Sequence, residues 1–140
     1  GRENIYLSGM LLGFTEKEIK EKEQAIVDFA EIGEFIDRPV KTYSSGMRSK
    51  LTFAITSCLE TDIMLVDEVL SVGDEHFKKK SLARMEKLIN DDNRTVIIVS
   101  HNIDTLEKLC TRVMWMNDGV IMEMGDPHEV LAHYKKFMNQ

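Results

Sequence analysis

The chain has 140 residues, of which 43% are hydrophobic and 30% charged, and it carries a formal net charge of −6. That length suits one domain or part of a larger one, and the composition is far from that of a disordered chain. The negative balance argues against a duplex-binding surface, no apolar run approaches the ~20 residues that cross a bilayer, and no signal-peptide pattern opens the chain.

In chain order, the opening "GRENIYL" starts mid-pattern, which predicts a piece of something longer. Residues 1 to about 60 are predicted helical. "TEKE" forms a capping box, with Thr15 as N-cap and Glu18 at N3. Behind it Ile19, Ile26, Phe29 and Ala30 make one apolar stripe opposite a charged face. After the break at Asp37 to Pro39, "YSSGM" opens a further helix whose Met47, Leu51, Ala54, Ile55 and Cys58 recur at helical spacing.

From about Asp62 the pattern changes. "DIMLVDE" and "RTVIIVSH" are short apolar runs, expected as strands buried on both faces of a parallel sheet. Between them Leu82, Met85 and Ile89 mark a helix, which completes a βαβ unit. "NIDTLEKLC" is a short helix, and "RVMWMNDGVIMEMG" is two strands joined through Asn117-Asp118-Gly119, a hairpin signal. "DPHEV" starts the last helix, with Asp126 as cap, Pro127 at N1 and Glu129 at N3. Met85, Met114 and Met116 fall on core periods and are expected to pack inside. Cys58 and Cys110 lie on apolar helix faces and are expected as buried free thiols. Two cysteines without a C-x-x-C or a Cys/His cluster make no metal site.

Three places can carry chemistry. Ser44, Ser45, Gly46 and Met47 stand at a helix start, where unpaired N–H groups and the positive dipole end suit a phosphate. Helix geometry alone favours Ser45 as the contact. Yet the chain contains no G-x-x-x-x-G-K-[ST], the loop that cradles a nucleotide's phosphates. Asp67 and Glu68 end a predicted strand, the position where open α/β sheets bind ligands. There Asp67 suits Mg²⁺, and Glu68 suits a general base or the positioner of a water. A strand that simply ends in an acidic turn is the plainer alternative. His101 ends the next strand, and its imidazole can bond a phosphate or fix Glu68. His76, His128 and His133 lack such a setting and are expected at the surface. Gly73 permits a tight turn, and Asp74 can cap the helix that follows.

The order "YSSGM", "IMLVDE", "SVGD", "VSH" resembles the nucleotide-binding domain of an ABC ATPase over essentially the whole chain, covering the latter part of such a domain. The resemblance implies an α/β fold: a helical subdomain at 1–60, and at 61–140 part of a P-loop NTPase (RecA-like) parallel sheet core, incomplete in this chain. By resemblance, Ser44 to Met47 match the signature motif, with Met47 in place of the usual Gln and Ser44 aligned with the motif's serine. Both serines therefore stay candidates for the γ-phosphate contact. Asp67 matches the Walker B aspartate, Glu68 the catalytic glutamate and His101 the switch histidine. Ser71 to Asp74 match the D-loop, from whose usual form Val72 and Gly73 depart.

The family implies ATP and Mg²⁺ as substrate and cofactor, and a head-to-tail dimer in which each signature closes over the ATP of the second nucleotide-binding domain. The P-loop and Q-loop are expected before Gly1, so this chain alone is expected to bind nucleotide weakly and to hydrolyse no ATP. "GRENIYLSGMLLGF", "YSSGMRSKL" and "LSVGD" further resemble the ATPases that export cell-surface polysaccharides such as O-antigen or teichoic acid. Such a subunit works on the inner face of the cell membrane beside a transmembrane permease, with no nucleic acid involved. Two other readings stay open: a non-transport ABC ATPase, which the short link between the Thr15 helix and "YSSGM" disfavours, and a non-catalytic module acting on a partner's nucleotide. The chain alone is expected to self-associate through an unpaired sheet edge.

Overall fold

The computed structural model describes residues 1–67, 73–91 and 93–139. Helices α1 (Arg2–Leu11) and α2 (Glu16–Ala30) are followed by two short 3₁₀ turns, Gly33–Asp37 and Val40–Thr42. Then come α3 (Ser45–Cys58), β1 (Ile63–Asp67), α4 (Glu75–Ile89), β2 (Thr95–Val99), α5 (Ile103–Leu109), the strands β3 (Val113–Asn117) and β4 (Val120–Gly125), and α6 (Pro127–Met138).

The chain divides into two compact units, Gly1–Met64 with Val69–Val96, and Leu65–Glu68 with Ile97–Gln140. In the first unit the capping box forms as expected: Glu18 N–H donates to the Thr15 hydroxyl, and Thr15 N–H donates to the Glu18 carboxylate at 2.7 Å. The core is built from Ile5, Ile19, Ile26, Leu51, Ala54 and Leu59, all buried. Helices α1 and α2 approach closely at Gly9, where an added Cβ would fall 2.6 Å from Ile19 Cδ1. Phe29, Phe53 and Phe77 tie α2, α3 and α4 together through tilted and edge-on ring contacts at 5.7–6.2 Å. On α4 the buried positions are Phe77, Ser81, Met85 and Leu88; the inward stripe is therefore turned slightly from the expected Leu82, Met85 and Ile89.

Side chains of α4 also close the ends of two other helices. Lys80 Nζ donates to the carbonyls of Asp28 and Phe29 at the end of α2, and to the Glu31 carboxylate. Arg84 donates twice to the Ser57 carbonyl near the end of α3, at 2.7 and 3.2 Å. Helix ends leave unpaired carbonyls, and a cation suits both their hydrogen bonding and the local dipole.

β1 and β2 are hydrogen-bonded neighbours. The Thr95 N–H at the entry of β2 donates to the Asp62 carbonyl at the entry of β1, so the strands start side by side. The expectation of burial on both faces does not hold. Along β1, Met64 and Val66 are buried, whereas Ile63 and Leu65 are 62% and 75% exposed. On β2, Ile97 and Val99 are exposed as well. The apolar run is there, but only one of its faces is covered among the described residues.

In the second unit, β3 and β4 form an antiparallel hairpin whose two-residue turn is Asp118-Gly119, at φ 48° and 78°. Two successive positive φ values define the mirror-image turn that matches strand twist, and Asp-Gly supplies them at least cost. A register shift beyond Trp115 leaves Met122 as an extra residue on β4. Val113 packs with Val130 and Leu131 of α6, and Trp115 lies 5.8 Å from the Tyr134 ring and 5.1 Å from that of Phe137. Met85 is buried as expected, but Met114 and Met116 are 46% and 52% exposed. Side chains alternate along a strand, and α6 covers the Val113–Trp115 face, which turns both methionines outward. Asp126 caps α6, with its carboxylate accepting from the N–H groups of His128 and Glu129.

Candidate functional site

Ser44 is the N-cap of α3, and its hydroxyl accepts from Met47 N–H at 3.2 Å. Ser45 is the first helical residue, and both serines are exposed. Met47 lies partly buried against the core of the first unit. A Cβ at Gly46 would meet nothing nearer than Ser44 Oγ at 3.9 Å, so the first turn of α3 stays bare on that side. Tyr43, buried just before the cap, donates its hydroxyl to the Phe35 carbonyl and fixes the entry to α3. The result is a helix start with accessible N–H groups and two hydroxyls able to donate to an anion.

Asp67 is the last residue of β1 and is exposed. His101 stands two residues beyond the end of β2, exposed, just before Asn102 caps α5 by accepting from Thr105 N–H at 3.0 Å. These two groups therefore sit at the exit ends of neighbouring strands. Glu68, Ser71 and Val72 lie outside the described residues. Among the described residues no group of three or more Asp, Glu, His or Cys gathers to hold a metal. A single carboxylate at Asp67 fits Mg²⁺, which binds through one or two carboxylates and takes its remaining ligands from phosphates and water.

Asp74 caps α4, accepting from Phe77 N–H at 2.9 Å, and pairs with Lys50 Nζ at 2.8 Å. The Lys50 bond, then the Phe77 N–H, hold its carboxyl down at about 2. Lys50 escaped the sequence reading. The available signal was its place three residues after Met47 and four before Ala54, a cation on the face where α3 is otherwise apolar.

His76, His128 and His133 are surface residues, as expected, lying near Glu31, Glu107 and Glu123 respectively. Neither cysteine is in a disulfide; Cys58 is buried, Cys110 half-buried, and burial pushes both thiols up.

No family model matches the chain. Among characterised proteins it is 48% identical over 138 residues to the teichoic acids export ATP-binding protein TagH of Lactococcus lactis, covering 99% of this chain and 29% of that protein. It is 44% identical over 136 residues to the O-antigen export system ATP-binding protein RfbB of Myxococcus xanthus, covering 97% and 31%. The corresponding protein of Klebsiella pneumoniae is 41% identical over 138 residues, covering 99% and 56%. The chain thus spans between 29% and 56% of the length of these relatives. Among solved structures, an ATP-binding subunit of an ABC transporter superposes with a TM-score of 0.78 at 18% identity, over 96% of this chain and 55% of that one. A dimeric ATP-binding cassette bound to ADP and phosphate superposes at 0.64 and 21%, over 81% and 49%. The fold is that of part of an ABC ATPase domain.

Proposed function

We propose that this chain is the signature-bearing part of the ATP-binding subunit of an ABC exporter for a cell-surface polysaccharide, of the teichoic acid or O-antigen kind. The observation that carries the proposal is 48% identity, over 99% of the chain, to a protein named for teichoic acid export. Supporting it, among the described residues Ser44 caps the start of α3, Asp67 ends β1 and His101 follows β2. The exposed apolar residues of β1 and β2 support a larger domain that covers them.

In the complete protein Asp67 would hold Mg²⁺, which would offset charge on the nucleotide's phosphates, and Glu68 orients the attacking water and takes its proton. His101 steadies that water or the phosphate. Ser44, Ser45, Gly46 and Met47 close over the ATP of a second nucleotide-binding domain, with N–H groups and hydroxyls aimed at the developing negative charge. Asp74 stands at the same subunit boundary. Closure and reopening of that pair drive a transmembrane permease, with the subunit peripheral on the inner membrane face. No helix among the described residues is long and apolar enough to cross a membrane. The isolated chain is inactive in this reading, because the loop that cradles the nucleotide's own phosphates is not in its sequence.

The test is Glu68→Gln in the full-length protein. Hydrolysis should fall by about a hundredfold or more, with a nucleotide-bound dimer accumulating. Wild-type turnover in that variant would remove Glu68 from the role of base.

A further inference from the structure

Two irregularities of the sequence meet in the first unit. One is the lysine on the apolar face of α3; the other is Gly73, which departs from the usual D-loop. Lys50 lies one turn beyond Gly46, and its side chain is only 14% exposed. Its Nζ donates to Asp74 Oδ2 at 2.8 Å and stands 5.0 Å from the centre of the Phe77 ring. A Cβ on Gly73 would come within 3.1 Å of Lys50 Cε, and as close to Cβ and Cδ1 of Phe77. Gly73 also has φ +83°, a conformation that other residues resist. The lysine stem therefore lies against the glycine, and its ammonium lies on the carboxylate that starts α4.

We propose that Lys50 is a positioning residue that ties the first turns of α3, carrying Ser44 to Met47, to Gly73 and Asp74 at the start of α4, and that Gly73 is glycine in order to admit the Lys50 stem. This rests on the export-ATPase reading, in which both elements face the second nucleotide-binding domain. The contact is unlike an ordinary exposed ion pair. The cation is largely covered, it stacks on a ring, and its partner carboxylate is already fixed by Phe77 N–H. Breaking it frees the two elements to shift separately. ATP can still bind, but the closed arrangement needed for hydrolysis forms less often.

The experiment uses the full-length protein with Lys50→Met, Lys50→Arg, Asp74→Asn, and Lys50→Met combined with Asp74→Asn. Lys50→Met keeps the stem and removes the charge. Its kcat, measured well below the melting transition, should fall about tenfold with KM for ATP within about twofold, while loss of the ion pair lowers the melting temperature by only a few degrees. Lys50→Arg should recover part of the loss. The double variant should be no worse than the poorer single one, because both break the same link. Wild-type kcat in Lys50→Met overturns the proposal. So does a kcat loss that disappears at temperatures where the variant is fully folded, or full additivity in the double variant. Should Lys50→Met fail to fold, Asp74→Asn, which keeps a capping oxygen, decides by the same split between kcat and KM. A wild-type protein that hydrolyses no ATP defeats the export-ATPase reading itself and this proposal with it.

Discussion

Ser44 has two separable jobs, and one substitution pulls them apart. Its hydroxyl caps α3 through Met47 N–H, and in the proposed function the same residue faces a partner's phosphate. Ser44→Ala removes both, whereas Ser44→Asp keeps the cap, since Asp and Ser are comparable N-caps and a negative charge suits a helix start. Losing the cap costs about 1 kcal/mol, which at a urea slope of about 1–3 kcal/mol/M lowers the midpoint by roughly 0.3–1 M. Ser44→Asp should leave the midpoint near wild type. Its effect on nucleotide is the reverse. A carboxylate about 4 Å from a phosphate charge, at an effective dielectric near 20, is repelled by about 4 kcal/mol, or roughly a thousandfold. The assays are urea unfolding of this chain, and ATP hydrolysis with nucleotide-dependent dimerisation of the full-length protein. Stability ordered wild type ≈ Asp > Ala, with activity lowest for Asp, is expected. Equal midpoints for Ala and Asp would refute the capping role, and wild-type hydrolysis by Ser44→Asp would refute the phosphate-facing role.

Gly9→Ala sets two effects against each other. Helix propensity gains about 1 kcal/mol, but the new Cβ lands 2.6–2.7 Å from Ile19 and 3.3 Å from Leu59, both fully packed, and overpacking costs ~1–3 kcal/mol. A net loss of up to about 2 kcal/mol should lower the urea midpoint; a raised midpoint would show that α1 and α2 separate freely. Acid should also destabilise the chain. Lys50 and the Phe77 N–H hold Asp74 at about 2, below its ordinary 3.8. The Tyr6 hydroxyl and Arg2 likewise lower Glu23, and the Thr15 hydroxyl lowers Glu18. The folded state therefore binds fewer protons than the unfolded state through the carboxylate range. Stability from these groups is complete above the ordinary carboxylate values and is lost as pH falls toward 2. Unfolding midpoints measured from about pH 6 to about pH 2 should decline, and a flat profile would contradict these pairings.

What the sequence made legible was local. The Thr15–Glu18 capping box, the Asp126 cap and the Asp118-Gly119 turn are each settled by residues within a few positions of one another, and all three appear as expected. What it hid depended on distant partners. "VMWMN" is apolar at every position but the last, so alternation cannot say which face is inner until α6 covers Val113 and Trp115. Burial of β1 and β2 depends likewise on how many layers surround them, which a short apolar run does not encode. At the candidate site, the cap at Ser44 and the strand-end placing of Asp67 follow from local pattern. The Lys50–Asp74 contact spans 24 positions and leaves no periodic trace.

The side chains that α4 lends to its neighbours bear on how this protein breathes. Because Lys80 satisfies carbonyls at the end of α2 and Arg84 one near the end of α3, unravelling α4 strips the terminal partners from two other helices in the same event. Amide protons in the last turns of α2 and α3 are then expected to exchange with solvent together with those of α4, as one cooperative unit rather than as three separately fraying ends.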